Sequence, residues 1–321
     1  MTILKYIGKR LVTIFISIVV ITIITYGLMH AAPGNFFDIT RFQNISGYSS
    51  SLSQENVEIL RRGFEEKYGL DQPIWKQILT YLSGAFRFKF GPAFSNPTRN
   101  IEDMIKEKFP VTLTLGLLSI TLAILVGIPL GVLSALKRNT WMDYAATFVA
   151  MIGQVIPAYV IAVLLVVLFS VILGWLPTSG WGTTKQMVLP VISIALGPTA
   201  FIARFMRVSL LDILNQDYVR TAYAKGGTDR VVIMKHALRN SLIPIATVVG
   251  PCLAYILAGS AVFVENIFRV PGIGQLFIDA AGYRDYPLLV TSTFVLALTI
   301  MIMNLLVDII YALLDPRIKL Q

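Results

Sequence analysis

Six apolar runs, residues 11–29, 111–136, 144–173, 187–203, 243–264 and 288–314, decide what this chain can be. About 20 consecutive apolar residues cross the hydrocarbon core of a bilayer as helix, and inside that core each backbone N–H must be bonded within the protein. The pattern predicts an all-α polytopic membrane protein with six transmembrane helices. Composition agrees, since 55% of the 321 residues are hydrophobic and 14% charged, outside the range of ordinary globular domains. The third and sixth runs exceed a span, so their ends are expected to project or tilt. The fourth, MVLPVISIALGPTAFIA, is interrupted by Pro190 and Gly197-Pro198 and is the weakest of the six. The first follows Lys5, Lys9 and Arg10 in the manner of a signal peptide. Its apolar core of about 19 residues is too long for one, which predicts a retained span.

The net charge of +9 is unevenly placed. With the N-terminus inside, the short inner pieces 1–10, 137–143, 204–239 and 314–321 hold 14 Lys and Arg, against Lys185, Arg269 and Arg284 in the short outer loops 174–186 and 265–287. Basic residues in short loops mark the cytoplasmic side, so both termini and the 204–239 insert are expected there. The basic excess then belongs to membrane orientation, and nucleic acid is not expected as a partner. Burying the seven basic residues of 204–239 in lipid would cost roughly 17 kcal/mol or more on the insertion scale. Only Asp212, Asp217 and Asp229 are at hand to offset it. The lone Cys252, behind Pro251 in an apolar run, is expected to pack rather than react.

Residues 31–110 form the one soluble-looking piece, with 10 basic and 9 acidic side chains. Ser51 and Gln54 fit a capping box for a helix through Val57, Leu60, Phe64 and Tyr68, with Gly69 as its stop. A second helix is expected after Asp71, with Pro73 in its first turn and Trp75, Ile78, Leu79 and Leu82 along one face. FRFKFGPAFSNPTRN breaks regular structure. Asn100 is placed to cap a short amphipathic helix, IEDMIKEKF, that stops at Pro110. The segment reads equally as a cap packed on helix ends and as a docking surface for an external partner.

Between the fourth and fifth runs lies YVRTAYAKGGTDRVVIMKHALRN, residues 218–240. Leu210, Leu211, Ile213 and Leu214 carry the preceding helix toward it. Gly226-Gly227 offers a turn that tolerates positive φ, and Thr228 is placed to cap a new helix with Asp229 near its positive end. Beyond it Val231, Met234 and Leu238 share one face, and Lys235 and Arg239 lie four apart on another. The expectation is a helix–turn–helix at the cytosolic surface of the membrane. Attraction to anionic headgroups, a plain connecting loop and a rigid knob for a partner's groove all remain open. The defined Gly-Gly hinge favours the knob.

The stretch YVRTAYAKGGTDRVVIMKHALRNSLIP closely resembles the cytoplasmic loop in permease subunits of bacterial ABC importers for peptides, the OppB/DppB/AppB type. In the wider importer family this loop opens Glu-Ala-Ala, with a glycine four residues after the last alanine. Here Arg220-Thr221-Ala222 stands in that place, with Gly226 at the matching position, a variant associated with peptide permeases. LMHAAPG, EEKYGLDQPIWKQILTYL, FGPAF, GIPLGVLSALKRNTWMDY, PGIGQLF, RDYP and DPRIK also resemble that family, in its order. The resemblance implies one permease half of an ATP-driven importer whose loop is a coupling helix seated in a cleft of a cytosolic ATPase. Its ATPase-coupling residues would be Arg220, Thr221, Ala222, Lys225, Gly226, Gly227, Thr228, Asp229 and Arg230. Implied partners are a homologous second permease, two cytosolic ATPases that bind the ATP and Mg, and an extracytoplasmic substrate-binding protein. Oligopeptides are the implied cargo, with nickel or a metallophore, glutathione or a haem precursor as alternatives within the same family.

On this reading residues 1–30 are the N-terminus and first helix, and 31–110 an extracytoplasmic helical segment. Residues 111–315 are a five-helix permease core with its coupling loop at 204–243, and 316–321 a cytoplasmic tail. The sequence holds no G-x-x-x-x-G-K-[ST] phosphate loop and no G-x-S-x-G elbow, so neither ATP binding nor hydrolase chemistry is expected of this chain. No Cys/His cluster has metal-ligand spacing, and His30 and His236 are expected on opposite sides of the membrane. No catalytic, cofactor or metal residue is assigned. A self-sufficient secondary transporter would show internal repeats and intramembrane ionisable groups, and a membrane-anchored receptor would leave five spans without a purpose. Asp308, with Asn304 one turn earlier, is expected to pair near the inner interface. Gly127 and Gly131 are spaced for close helix packing. Gln154, Ser193, Thr247, Tyr255 and Ser260 are the candidate lining of the translocation path.

Overall fold

The computed structural model describes residues 3–32, 58–59, 61–63, 65–66 and 69–314. In chain order its helices are α1 (Ile3–Ala31), α2 (Ile74–Ala85), α3 (Ile101–Leu136), α4 (Trp141–Val155), α5 (Ala158–Ile172) and α6 (Thr184–Leu214). They continue as α7 (Asp217–Ala224), α8 (Asp229–Tyr255), α9 (Ala261–Phe268), α10 (Ile273–Tyr283) and α11 (Tyr286–Leu314). Regular structure among the described residues is helical, apart from one isolated bridge between Pro92 and Asn100. Helices α1, α3, α6, α8 and α11 each have the length and apolarity of a membrane crossing. The chain divides into two compact units, one of residues 1–7, 112–270 and 299–321 and the other of residues 8–111 and 271–298.

The third apolar run is not one continuous helix. It is divided into α4 and α5, bent by 105°. Proline disfavours the α region for the residue before it, and Ile156 is extended at φ −84 and ψ 124. Pro157 then opens α5 as its N-cap. Elsewhere proline does not end the helix. The helix expected to stop at Pro110 runs on to Leu136, and α6 passes through both Pro190 and Pro198. An interior proline costs about 3 kcal/mol, whereas ending a helix in an apolar setting strands several backbone groups at several kcal/mol each. Continuation wins. The break at Pro157 is the exception that fits the same rule, because its irregular backbone lines a cavity.

The first unit is organised around α6. Leu189, Ile194, Ile202, Met206 and Leu210 are at most 1% exposed, and α6 packs against α4, α5 and α8. Gly127 and Gly131 lie against this same helix. A Cβ on Gly127 would stand 2.9 Å from the Thr199 carbonyl oxygen, and one on Gly131 2.6 Å from Met206 Cβ. The pair is therefore a contact within the chain. Asp308 accepts a hydrogen bond of 2.8 Å from the Tyr6 hydroxyl.

In the second unit Gly69 takes φ +62, suiting a chain reversal before α2. The helix expected upstream rests on Ser51, Gln54, Val57, Leu60, Phe64 and Tyr68, which lie outside the described residues. Helix α2 begins after Pro73 as expected, but its inner face differs. Leu82 is buried, whereas Trp75 and Leu79 are 64% and 57% exposed. Gln77 is buried in their stead, its amide donating to the Leu70 and Gln72 carbonyls at 3.0 and 2.8 Å. Those turn carbonyls need a donor, and only a polar side chain supplies one. Tyr81 packs edge-on against Tyr26 and Phe294. Asp285, with no exposed surface, accepts from the Ser95 N–H and hydroxyl at 2.7 and 2.6 Å and from Leu288 N–H at 3.2 Å. Burial pushes its carboxyl above the usual range, against the pull of donors on Ser95, Phe94 and Leu288.

Candidate functional site

Helix α6 leads into a hairpin built in two short steps. After Asn215 the chain turns into α7, and at Lys225 the helix ends in a hydrogen-bonded cap. Lys225 N–H donates to Thr221 at 3.1 Å, Gly226 N–H to Tyr223 at 2.9 Å and Gly227 N–H to Ala222 at 3.2 Å. Gly226 sits at φ +82, the left-handed conformation that ends helices and favours glycine. Gly227 is glycine for another reason. A Cβ there would meet the Ala222 carbonyl oxygen at 2.9 Å and Val232 Cγ2 at 2.8 Å. Thr228 is extended and occupies the N-cap of α8 as expected, but its side chain makes no capping bond. Its carbonyl accepts from Val232 N–H at 3.0 Å.

The hairpin is clasped from inside. Leu210 on α6, Val219 on α7, and Val232 and Ala237 on α8 are at most 1% exposed. Asn240 donates to the Tyr218 hydroxyl at 2.9 Å, and the Ser209 hydroxyl to the Ser241 carbonyl at 3.0 Å. Outward the surface is open. Arg220, Thr221, Lys225, Gly226, Thr228, Asp229 and Arg230 are exposed, while Ala222 and Gly227 are partly covered. Arg220 lies 3.8 Å from Asp217 with both side chains well exposed, a contact worth little. Beside this basic tip Tyr223, Val231 and Met234 are 39%, 50% and 59% exposed. The result is a small, stiff projection with a basic tip and an apolar flank, suited to seating in a partner's cleft. Val219, Tyr218 and Tyr223 were not singled out from sequence. Only the packing of α7 between two other helices gives them roles.

At the α4–α5 break lies a cavity of about 470 Å³, lined by Gly153, Gln154, Pro157, Pro198, Phe201 and Tyr255 among others. Irregular backbone at membrane depth is tolerated where it lines such a space. Ser260 also reaches it, so Gln154, Tyr255 and Ser260 meet at one place. Tyr255 leads into a π-helical turn, Ile256–Ser260, a widening often found at functional sites. Cys252 is among the lining residues as well. Ser193 and Thr247 stand elsewhere. Their hydroxyls donate to carbonyls of their own helices, Ser193 to Pro190 at 2.9 Å and Thr247 to Pro244 at 2.6 Å. Pro157 close behind Gly153 marks this site, although in sequence Pro157 is not set apart from prolines that leave their helices intact. A Cβ on Gly153 would come 2.6 Å from the Leu196 carbonyl oxygen, so α4 runs hard against α6 just before it breaks. Among the described residues no group of three or more His, Cys, Asp or Glu is placed to hold a metal ion.

The model of the family described as binding-protein-dependent transport system inner membrane component matches residues 127–320, a stretch that contains both hairpin and cavity. The dipeptide transport system permease protein DppB of Bacillus subtilis (strain 168) is 41% identical over 317 residues, covering 99% of this chain and 98% of that protein. The oligopeptide transport system permease protein OppB of Escherichia coli (strain K12) is 37% identical over 318 residues, with 98% and 99% covered. Among solved structures, an inward-facing conformation of the MetNI methionine ABC transporter has a chain that matches with a TM-score of 0.57 at 20% identity. That match covers 66% of this chain and 96% of the other, and it is a likeness of fold.

Proposed function

This chain belongs to the family of binding-protein-dependent transport system inner membrane components, and from that premise we propose that it forms half of the translocation path of a peptide importer driven by cytosolic ATPases. The observation that carries the cargo is the near full-length likeness to dipeptide and oligopeptide permeases. Nickel chelates, glutathione and haem precursors are alternative cargoes for the same machinery. The partners are a homologous second permease, two ATPase subunits that hold the nucleotide and its magnesium, and an extracytoplasmic binding protein. Both termini and the hairpin face the cytosol, as the distribution of Lys and Arg supports.

The geometry supplies a mechanism. Residues Arg220 to Arg230 seat in an ATPase cleft, with Gly226 and Gly227 fixing the angle of the tip. Closure of the ATPases displaces the seat. Because Leu210, Val219 and Val232 are buried where α6, α7 and α8 pack on one another, α7 has little freedom to absorb that movement. It passes instead to α6 and α8, which carry Pro198, Phe201 and Tyr255 into the cavity wall. Peptide passes along surfaces that include Gln154, Tyr255 and Ser260, while Ser193 and Thr247 adjust helix backbone near the path.

The test is assembly and response together. The tagged chain is extracted in mild detergent, its companions identified by mass spectrometry, and ATPase activity measured with and without peptide-loaded binding protein. A second permease with ATPases, and hydrolysis that rises with loaded binding protein, is the expected result. A chain that emerges alone and stable would overturn the reading.

A further inference from the structure

A second cleft, of about 310 Å³, opens among α3, α4 and α6 where α3 ends and α4 begins. Its lining includes the small residues Ala146, Ala150 and Ala203 and the two guanidinium side chains Arg204 and Arg207. Asp143 is the sole carboxylate among the lining residues, and it is already engaged. Arg207 donates to both of its oxygens at 2.8 Å, Asn139 N–H donates at 3.0 Å, and the Ser134 hydroxyl bonds Oδ1. Arg207 is thus neutralised inside the cleft, and Arg204 has no carboxylate left there to meet. Lys137 and Arg138 lie exposed on the adjoining turn. On α4, Trp141 and Tyr144 are 73% and 67% exposed, the aromatic types that sit at a membrane–water boundary. Deeper along the same helix Phe148 is 62% exposed. Spare positive charge, amphipathic aromatics and small apolar residues thus stand together at the turn that the charge distribution assigns to the cytoplasmic side.

We propose that this cleft holds one anionic phospholipid of the cytoplasmic leaflet, with its phosphate at Arg204 and an acyl chain over Ala146, Ala150 and Ala203. Basic pockets between membrane helices on the cytoplasmic side suit such headgroups. The lipid would link α4 to α6, whose separation sets the cavity at the Pro157 break. The inference rests on the membrane orientation given above, and not on the cargo or the ATPases.

The experiment uses the complex as purified, after partial delipidation, titrated with phosphatidylglycerol or phosphatidylcholine and read by native mass spectrometry. One phosphatidylglycerol per chain, retained in preference to phosphatidylcholine, is expected. Arg204→Gln should reduce that retention about fivefold with no change in thermal midpoint. Ala146→Leu, which adds bulk to the lining without removing a charge, should reduce it as well. Equal retention of the two lipids, or an Arg204→Gln protein that binds as wild type does, overturns the proposal. So does complete displacement by inorganic phosphate, which would make the cleft a site for the free ion. Lipid retention is read without transport, so this inference and the importer reading can fail separately.

Discussion

Gly226 and Gly227 stand side by side for different reasons, and substitution separates them. Gly226 has φ +82 with open space around it, so its requirement is conformational. Asn visits that region readily, while a β-branched residue is strained there by about 2 kcal/mol. Gly226→Asn should therefore keep peptide uptake near the wild-type rate and Gly226→Val should lose most of it, with membrane insertion checked by immunoblot. Equal loss in both variants would remove backbone conformation as the cause. Asp143 and Arg207 make a second local case, with 4% and 28% of their side chains exposed. Arg207→Gln leaves the carboxylate buried without its cation. The expected cost is about 2 kcal/mol, below that of a fully buried pair because Arg207 is partly solvated. It would be read as a lower thermal midpoint in detergent; an unchanged midpoint would mean that the pair contributes nothing. Asp285 gives a pH dependence. Its folded value lies above its unfolded one, so its contribution is present at acid pH and lost as pH rises through the folded value. As pH rises from the ordinary carboxylate range through the folded value, the wild-type midpoint should fall more steeply than that of Asp285→Asn. Parallel slopes would contradict it.

At the scale of elements, close contact of α3 with α6 depends on Gly131. Gly131→Leu should force the helices apart and lower the amount of chain accumulated in the membrane. Leu133→Ala, at an exposed position of the same helix, serves as the control and should accumulate as wild type does. Equal accumulation of the two variants would show that α6 yields. That packing was legible in the sequence, because two glycines four residues apart in an apolar run have few other uses. So were the positions of the long helices and the turn at Gly226, since both follow from local chemistry. What the sequence hid depends on distant partners. Pro110, Pro157, Pro190 and Pro198 look alike in a string of letters. Only Pro157 breaks its helix, where the freed backbone has a cavity to face. Trp75 and Leu79 share spacing with Leu82, yet the need of two turn carbonyls for a donor puts Gln77 inside. The clasp of Val219 and Val232 was invisible for the same reason, since its residues come from separate helices. Ser193 and Thr247 resembled Gln154 as polar residues in apolar runs. Their hydroxyls can bond their own backbone, which a longer amide does less readily.

At the scale of the whole molecule, the proposed coupling hairpin and the cavity are joined through shared helices. The cavity and the hairpin both belong to the first unit, and α6 and α8 contribute to each. A push on the hairpin and a change at the cavity are then one movement of the same two rods. The second unit, with its buried Asp285 and aromatic packing, contains most of the segment 31–110 that reads from sequence equally as a cap and as a docking surface. The proposed seating of the hairpin in an ATPase is open to site-specific photocrosslinking. A photoreactive residue is placed at Lys225 or at Thr228 in the full complex in native membranes, and the adducts are identified after illumination with and without ATP. Adducts with an ATPase subunit are expected from both positions, in yields that change with nucleotide. Adducts with lipid or permease alone, and none with an ATPase in either condition, would contradict that seating.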